Sequence, residues 1–580
     1  PWELVQHATV AAHDCVGSNL YVHTRGNQLI RVVPRDNESI NESWISDRDR
    51  FSYTALKSDQ RLQAPRIRVN GKLVETEWET AINLAVEKMQ AAANQKGDLA
   101  AIVSPQCTLE EQYLLQKLMR GLGSAHIDHR LNQVDFSAQA QMPVMPWLGR
   151  SIESIEQLDS ALIIGGNLRR EQPMLNHRLR KAVVSNSAAV ASISSLAGQY
   201  NYDLVADLAG SAQQQLIDLA CVVVAAYAAS KTELPDSLTE IAEKAKPKKE
   251  HKALAKSLVK GDQSAVIVGL QAVASPQFSQ IVALASQLAQ LSSASLSILS
   301  ESANAAGASL AGCLPHRGPA GTDVDQPGQN TVEMCQSPHK VMLLMGVDPQ
   351  LDISSCHASD AFAAQQDFII AIDGFDSEFI RQHADLVLPL ASWLETSGTF
   401  VNCEGLWQPF KGCINPDQGA RPGWKILTAL GQTLLPGDEF SYSDSVAIRD
   451  ELKLQCRDLK LDNQTEINIK LKLPTRPRGL QKVSETAIYA VDGMVRHAAP
   501  LQQTPNMDEA NSLRINTAQA EKSGLADARQ VHVRQDEGTA VLPLVIDDNV
   551  PAGCAWVPGG IAAVAELGAF NGVIEVEKVS

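Results

Sequence analysis

The sequence predicts an α/β protein built from a β-rich N-terminal cap, two doubly wound α/β domains and a C-terminal β-barrel. Short, continuously apolar runs alternate with helical stretches through the middle of the chain, which is typical of parallel sheets covered by helices. The chain has 580 residues, which is too long for one ordinary hydrophobic core. After residue 513 the pattern changes to short β runs separated by turns, which indicates a compact barrel.

The order of the apolar runs predicts that one α/β domain is inserted into the other. A buried strand at Leu99–Val103 is followed by a helix at Leu109–Gly121. The sheet that starts there would be completed only by the later runs Lys340–Val347, Phe368–Ile372 and Ala384–Leu390. The predicted domains are therefore residues 1–62 (cap), 63–150 with 331–435 (discontinuous α/β domain), 151–330 (inserted α/β domain), 436–505 (linker region) and 506–580 (barrel).

Composition excludes several classes of partner. The net charge of -16 argues against nucleic acid, whose phosphates require a basic face. No window approaches the roughly 20 uninterrupted apolar residues of a membrane span, so no direct span is expected. The 10 cysteines are scattered singly without a C-x-x-C pair, which fits a reducing cytoplasm.

The N-terminal stretch Ala8–Tyr53 has the outline of an iron–sulfur site. The β-rich runs Leu20–Thr24 and Gln28–Val33 flank Arg25-Gly26-Asn27, which predicts a hairpin with Gly26 at its turn. The stretch resembles the N-terminal cap of molybdopterin-type oxidoreductases, in which four cysteines hold a [4Fe–4S] cluster. The resemblance places those four ligand positions on Ala11, Asp14, Ser18 and Ser46.

A Cys₄ cluster needs four thiolates, and these four residues supply none. The neighbouring Cys15 lies one position away from the pattern and is expected to be a small buried hydrophobe. The run Val16–Phe51 resembles the large iron–sulfur subunit of respiratory NADH:quinone oxidoreductase (complex I), in whose mitochondrial-like branch this cap cluster is also missing. The resemblance therefore predicts no metal site in the cap.

Two further motifs carry the resemblance. Ser160–Arg170 is similar to the segment in which a strand delivers a Gly-Gly-Asn turn, here Gly165, Gly166 and Asn167, to a cofactor cleft. A tight turn closing an ordinary βα unit explains these glycines equally well. Glu395–Gln408, which includes Asn402 and Glu404, resembles the E-x-x-G-T-F-x-N-x-E-G-R-x-Q run of the superfamily, with Leu406 in place of the Arg. Leucine can fill volume but cannot bind a phosphate as arginine does.

The remaining candidate segments each have a structural alternative. Asn304–Gly321, which carries His316 and Arg317, resembles a loop that lines the vestigial cofactor cavity of the complex I subunit, but a close-packed loop at a domain junction is the alternative. Ala125–Ala138 matches the segment that carries the metal-binding Cys or selenocysteine of catalytic members, and it contains no Cys. Its His126, Asp128 and His129 are expected to form a hydrogen-bonded turn rather than a metal site.

The resemblance, which extends over essentially the whole chain, implies the C-terminal, molybdopterin-oxidoreductase-like part of the large iron–sulfur subunit of complex I. This stretch would be a cofactor-free scaffold without catalytic residues, within a complex that oxidises NADH. The [2Fe–2S] and [4Fe–4S] clusters are expected in an N-terminal part that this sequence lacks. The implied partners are other peripheral-arm subunits, and the implied location is the cytoplasmic face of the bacterial inner membrane.

Two alternatives remain open. One is an active molybdopterin oxidoreductase of the formate dehydrogenase or nitrate reductase type. The other is a pterin- or nucleotide-binding protein without redox activity. The complete pattern of the terminal barrel supports this alternative.

Overall fold

A computed structural model describes residues 2–93, 98–354, 356, 359–416, 419–463, 466–475 and 478–579. The chain divides into two compact units. Unit 1 comprises Pro1–Leu131, Glu301–Lys460 and Tyr489–Thr504, and unit 2 comprises Asn132–Ser300, Leu461–Ile488 and Pro505–Ser580. Each compact unit combines pieces of several predicted domains. The domain boundaries expected from the sequence therefore stay a prediction.

The cap at the start of unit 1 is a three-stranded antiparallel sheet followed by a short helix. Its strands are β1 (Val5–Val10), β2 (Asn19–Arg25) and β3 (Gln28–Pro34), and the helix is α1 (Asp47–Phe51). The predicted hairpin is confirmed as β2 and β3, and Gly26 at its turn has a φ of 58°, a conformation that glycine adopts without steric cost. The hairpin is local, so its alternating pattern and turn residues are sufficient to predict it.

The core of unit 1 is a seven-stranded sheet in which the buried central strands are parallel. Its order is β5-β4-β15-β14-β13-β6-β7 among the described residues. The strands are β4 (Arg66–Val69), β5 (Lys72–Glu75), β6 (Leu99–Val103), β7 (Ile127–Asp128), β13 (Val341–Met345), β14 (Ile369–Asp373) and β15 (Leu386–Pro389). The strand at Leu99–Val103 therefore does pair with the much later strand at Val341–Met345, as the apolar runs predict.

Unit 1 also contains a two-stranded hairpin, β16 (Gly398–Val401) and β17 (Trp407–Phe410). Its helices besides α1 are α2 (Trp78–Ala93), α3 (Leu109–Gly121), α11 (Ala305–Ala311), α12 (Thr331–Cys335), α13 (Pro349–Asp352), α14 (Ser359–Ala364), α15 (Glu378–His383), α16 (Gly423–Leu434), α17 (Ser445–Gln455), α18 (Gly493–Arg496) and α19 (Ala499–Gln502). Helix α3 begins at a capping box in which Thr108 and Glu111 each bond the other's backbone N–H.

Unit 2 contains a five-stranded parallel sheet of order β10-β9-β8-β11-β12. The strands are β8 (Ser160–Ile164), β9 (Ala189–Ser194), β10 (Ala206–Ala209), β11 (Ser264–Val268) and β12 (Ser295–Ile298). The helices around it are α4 (Leu168–Glu171), α5 (Pro173–Asn186), α6 (Ala212–Ser230), α7 (Thr239–Lys244), α8 (Lys249–Lys260), α9 (Leu270–Val273) and α10 (Phe278–Ser292). The strand order reverses between β8 and β11, because successive strands go to one side of β8 and then to the other.

Helix α6 is long and apolar enough to cross a membrane by length and composition. More than half of its apolar window is buried inside unit 2, where it packs in the core with α8 and α10. Burial of this kind is what a core helix shows, so the helix is weak evidence for a membrane span.

The barrel of unit 2 is closed by six strands in the order β18-β22-β19-β21-β20-β23, within the described residues. They are β18 (Leu480–Val483), β19 (Leu513–Ile515), β20 (Gln530–Gln535), β21 (Gly538–Ile546), β22 (Cys554–Trp556) and β23 (Gly572–Lys578), with helices α20 (Pro505–Ala510) and α21 (Thr517–Lys522). Strand β18 comes from the segment predicted to be linker. It is only four residues long and half polar, so nothing local distinguishes it from a loop until its partners β22 and β23 are in place.

Candidate functional site

The four cluster-ligand positions of the cap are buried, and the hydroxyl of Ser18 has no hydrogen-bond partner within the part of the chain that the structure describes. The methyl side chain of Ala11 cannot bind a metal, and the backbone N–H of Ala11 donates to the carbonyl of Ser18 at 2.9 Å. Ser46 is the N-cap of α1, where its hydroxyl accepts from the N–H of Asp49 and donates to the Asp49 carboxylate at 2.7 Å. The sequence Ser-Asp-Arg-Asp at residues 46–49 is itself a helix-capping signal, and it assigns Ser46 a structural role that the resemblance to a cluster site does not reveal.

Asp14, the remaining position, lies in a buried group of charges. Its carboxylate accepts from the backbone N–H of Val16 at 3.1 Å and lies 3.4 Å from the guanidinium of Arg48. Burial and the nearby charge of Asp49, partly offset by Arg48, raise the pKa of Asp14 to about 6. One carboxylate, two hydroxyls and a methyl group thus stand where four thiolates would be required, so the donor set does not fit an iron–sulfur cluster.

A buried Ser–His–Asp chain lies next to these positions. His13 Nδ1 is 2.7 Å from Asp492 Oδ2, and His13 Nε2 is 2.7 Å from Ser52 Oγ. Burial disfavours the imidazolium, but the adjoining Asp492 carboxylate outweighs this and raises the pKa of His13. Burial also acts on Asp492, whose pKa is nevertheless lowered by His13. Because all three side chains are buried, the arrangement links the cap to the segment Tyr489–Thr504 of unit 1 and presents no accessible nucleophile.

Residues 402–408, at the turn of the hairpin β16–β17, form hydrogen bonds with the cap loop at residues 15–17, and we call them the cap clasp. Asn402 Nδ2 donates to the carbonyl of Val16 at 3.0 Å, while its Oδ1 accepts the N–H groups of Glu404 and Leu406. The N–H of Cys403 bonds the carbonyl of Cys15 at 2.7 Å. Candidate residues Asn402 and Glu404 therefore belong to a turn that holds the cap in place.

The clasp also explains one glycine of the cap. Gln408 Nε2 donates to the carbonyl of Gly17 at 3.0 Å. A Cβ at Gly17 would lie 2.0 Å from Gln408 Oε1, and the φ of 74° there disfavours other residues. Leu406, at the position of the family's Arg, is 47% exposed.

The other half of the E-x-x-G-T-F motif is anchored to the α/β core of unit 1. Arg61 donates to Glu395 at 2.8 Å in a buried ion pair. Glu110 on α3 accepts from the N–H of Thr399 at 2.8 Å and contacts its hydroxyl at 2.7 Å. Burial raises the pKa of Glu110 to about 8, despite its hydrogen bonds with Thr399. Glu395 and Thr399 therefore both serve to fix the motif on the core of unit 1.

The Gly-Gly-Asn turn belongs to unit 2. Gly165 has a φ of 58°, and a Cβ there would lie 2.5 Å from the N of Ala272. The Cα of Gly166 packs against Gly269, where an added Cβ would lie 2.6 Å from it. The side chain of Asn167 is buried. Close packing of the turn after β8 against the turn after β11 therefore requires these glycines, as the structural alternative proposes.

The segment around His316 and Arg317 differs from the expected loop. Residues 305–311 form α11, whose residues are all buried, and only the part after Gly312 is irregular. The small Ala and Gly side chains that suggest a loop instead allow this helix to pack closely in unit 1. The carbonyl of Arg317 accepts from Arg120 Nη2 at 2.9 Å, and burial lowers the pKa of the Arg317 guanidinium.

The three residues considered for a metal site have separate roles. Asp128 accepts both the Nε and Nη2 of Arg130 and forms a turn with the next residues. His129 Nδ1 bonds the carbonyl of Cys313 at 2.9 Å, and burial lowers its pKa to about 4. His126 Nδ1 accepts from the N–H of Gln329. The hydrogen-bonded turn expected for this segment is therefore present.

Comparison with known families identifies the chain. The molybdopterin oxidoreductase family matches residues 61–433, which is more than half of the sequence, and the chain belongs to that family. Residues 492–580 match the molybdopterin dinucleotide binding domain. Residues 5–54 match the NADH-ubiquinone oxidoreductase NDSU1/NuoG-like 4Fe-4S domain. An iron–sulfur family domain therefore lies within this chain, whereas the resemblance predicts iron–sulfur clusters only in an N-terminal part outside it.

The chain is similar to complex I subunits, as the resemblance of its motifs predicts. It is 38% identical over 192 residues to the G subunit of NADH-quinone oxidoreductase from Rickettsia felis, covering 33% of this chain and 28% of the relative. It is 27% identical over 467 residues to the NADH-ubiquinone oxidoreductase 75 kDa subunit of Reclinomonas americana, covering 76% of this chain and 59% of the relative. The matches thus span less than two thirds of these relatives.

A solved structure confirms the predicted fold. Acetylene hydratase from Pelobacter acetylenicus superposes with a TM-score of 0.69 at 13% identity, covering 99% of this chain and 100% of that chain. At this identity the likeness concerns the fold alone. The predicted α/β class with a closed C-terminal barrel is confirmed.

Proposed function

We propose that this chain is the scaffold portion of the large iron–sulfur subunit of NADH:quinone oxidoreductase and supports electron transfer from NADH to quinone. Its similarity to the Rickettsia felis subunit and to the 75 kDa subunit supports the assignment to the complex. The [2Fe–2S] and [4Fe–4S] clusters of the whole subunit reside in an N-terminal part, and the chain binds other peripheral-arm subunits at the cytoplasmic face of the bacterial inner membrane.

One observation supports the scaffold role most directly. Protein contacts stabilise the cap at the positions where relatives of its domain family would bind a cluster. Asp14 and Ser46, two of the ligand positions, are committed to Arg48, Val16 and the α1 cap. The buried contact of His13 with Asp492 adds a second link within unit 1. A rigid protein body can position cofactors held elsewhere without binding one itself.

The assignment is tested by analysing the purified chain for Fe, Mo and W by mass spectrometry and for extracted pterin by fluorescence. We expect none of the four at stoichiometric level. A Cys15→Ser variant is the matched control, because Cys15 is the thiol adjoining the cluster pattern, and iron bound through it adventitiously would decrease in the variant. Stoichiometric iron, or Mo or W with pterin, would contradict the scaffold proposal and favour an active oxidoreductase.

Membership of the complex is tested separately. The chain, tagged in its source cells, is expected to co-migrate in native gels with NADH dehydrogenase activity. Migration of the chain on its own, together with a thermal shift on adding guanine nucleotides, would instead favour the nucleotide-binding alternative, because a ligand that binds the native state raises its apparent stability.

A further inference from the structure

A buried carboxylate in unit 2 is surrounded by side-chain donors from distant parts of the chain. Glu485, two residues after β18, accepts from Arg170 Nη1 at 3.0 Å through Oε1. Its Oε2 accepts from Asn167 Nδ2 at 3.3 Å and from Gln271 Nε2 at 3.2 Å. Asn167, Gln271 and Glu485 are all buried, and Arg170 supplies the positive charge. Two amides and one guanidinium supply the kind of donors that an oxyanion accepts.

The donors lie where an open α/β sheet places its ligands. Asn167 and Arg170 follow the carboxyl end of β8, and Gln271 follows the carboxyl end of the neighbouring strand β11. The strand order reverses between these two strands. The crevice at such a reversal is the general ligand position of doubly wound folds. The carboxylate of Glu485 therefore occupies the position at which this sheet would accept a ligand.

The surroundings favour an anion that belongs to the protein. The close contact of Gly166 with Gly269 brings the two strand ends together and leaves the donors facing Glu485. A Cβ at Gly166 would lie 3.5 Å from Glu171 Oε2, so a second carboxylate borders the turn. A free anion entering here would be repelled by both glutamates, and it would compete with a group whose tether gives it a high effective concentration.

We propose that this crevice is an oxyanion site whose resident ligand is the carboxylate of Glu485, which closes it to phosphorylated ligands. The proposal concerns unit 2 alone and does not depend on membership of complex I. In the intact protein Glu485 accepts hydrogen bonds from the three donors, of which Asn167 also donates to Gln199 Oε1 at 3.2 Å. Removal of its carboxylate leaves a vacant site of complementary charge for a small oxyanion.

The test compares the full chain with Glu485→Ala, using Glu250→Ala, which removes an exposed glutamate of α8, as the matched control. Melting temperature is measured while acetate or inorganic phosphate is titrated against sodium chloride at constant ionic strength. Acetate reproduces the group removed, and phosphate tests whether a tetrahedral anion also fits. We expect a saturable rise for Glu485→Ala with an affinity at least tenfold tighter than for the wild type, and loss of this rise when Arg170→Ala is added.

Equal responses of the wild type and Glu485→Ala, or no response of folded Glu485→Ala to either anion, would overturn the proposal. So would a response that survives Arg170→Ala. Glu485→Gln provides a test that does not depend on opening a cavity. Its amide keeps the shape but presents N–H groups or an uncharged oxygen to the donors, so we expect it to melt below Glu250→Gln. Equal melting temperatures for these two variants would show that the site does not require an anion.

Discussion

The substitution Glu110→Gln should stabilise the protein at alkaline pH, although it removes a charge from a well-bonded position. Burial raises the pKa of Glu110 from 4.5 to about 8. Between these values the folded chain retains a proton that the unfolded chain has released, so the free energy of unfolding falls as pH rises. Each unit of pKa difference corresponds to about 1.4 kcal/mol. The largest loss attributable to this group by pH 8 is therefore roughly 5 kcal/mol.

Glutamine should avoid this loss because it keeps both contacts with Thr399. Its amide oxygen can accept the N–H now bonded to the carboxylate, and its NH₂ group can donate to the hydroxyl. We expect Glu110→Gln to match the wild type near pH 5 and to exceed it by about 1 to 5 kcal/mol at pH 8.5. Urea unfolding at several pH values, monitored by fluorescence, measures the difference.

The matched control is Glu77→Gln, which changes an exposed glutamate of unit 1. It should leave the pH dependence of the unfolding free energy unchanged. If Glu110→Gln has the same pH dependence as the wild type, the carboxyl titrates normally and the reasoning from burial is refuted. Lower stability of Glu110→Gln at pH 8.5 would refute it as well.

Three further outcomes follow from individual contacts. Asn402→Ala should lower the free energy of unfolding by about 1 to 3 kcal/mol, because it leaves the Val16 carbonyl and two turn N–H groups without their partner. Urea unfolding and proteolysis of the cap loop would measure this loss. Unchanged values would show that the cap clasp is dispensable. Burial lowers the pKa of Lys482 to about 7, although the charge of Asp536 opposes this shift. Between pH 7 and pH 10 the unfolded chain binds a proton that the folded chain has released, so the free energy of unfolding should rise with pH. Lys482→Met should flatten this rise, and an unchanged slope would contradict the assignment. Gly269→Ala should lower the melting temperature markedly, since its methyl group would lie 2.6 Å from the Cα of Gly166. A melting temperature equal to that of the wild type would mean that the turns after β8 and β11 can separate without cost.

Local patterns predict much of the fold. The cap hairpin, helix α3 and the apolar strands of both sheets carry alternation, caps or continuous hydrophobicity within a few residues, and the structure places them close to the expected bounds. Strand β18 cannot be found in this way, because it is short and half polar and becomes a strand only through pairing in the barrel. Helix α11 escapes prediction for a related reason, since its small residues suit a helix only when its close neighbours are known.

The candidate site is predictable in one respect and not in another. The resemblance marks Ala11, Asp14, Ser18 and Ser46 as ligand positions, and the absence of thiolates there can be read from the sequence because ligand chemistry is a property of the side chains themselves. Other contacts of the candidate segments are not local: His13 meets Asp492, 479 positions away, and Arg170 meets Glu485, 315 positions away. A sequence specifies which groups are available, but burial decides their charge and only the folded chain brings distant partners within hydrogen-bond distance.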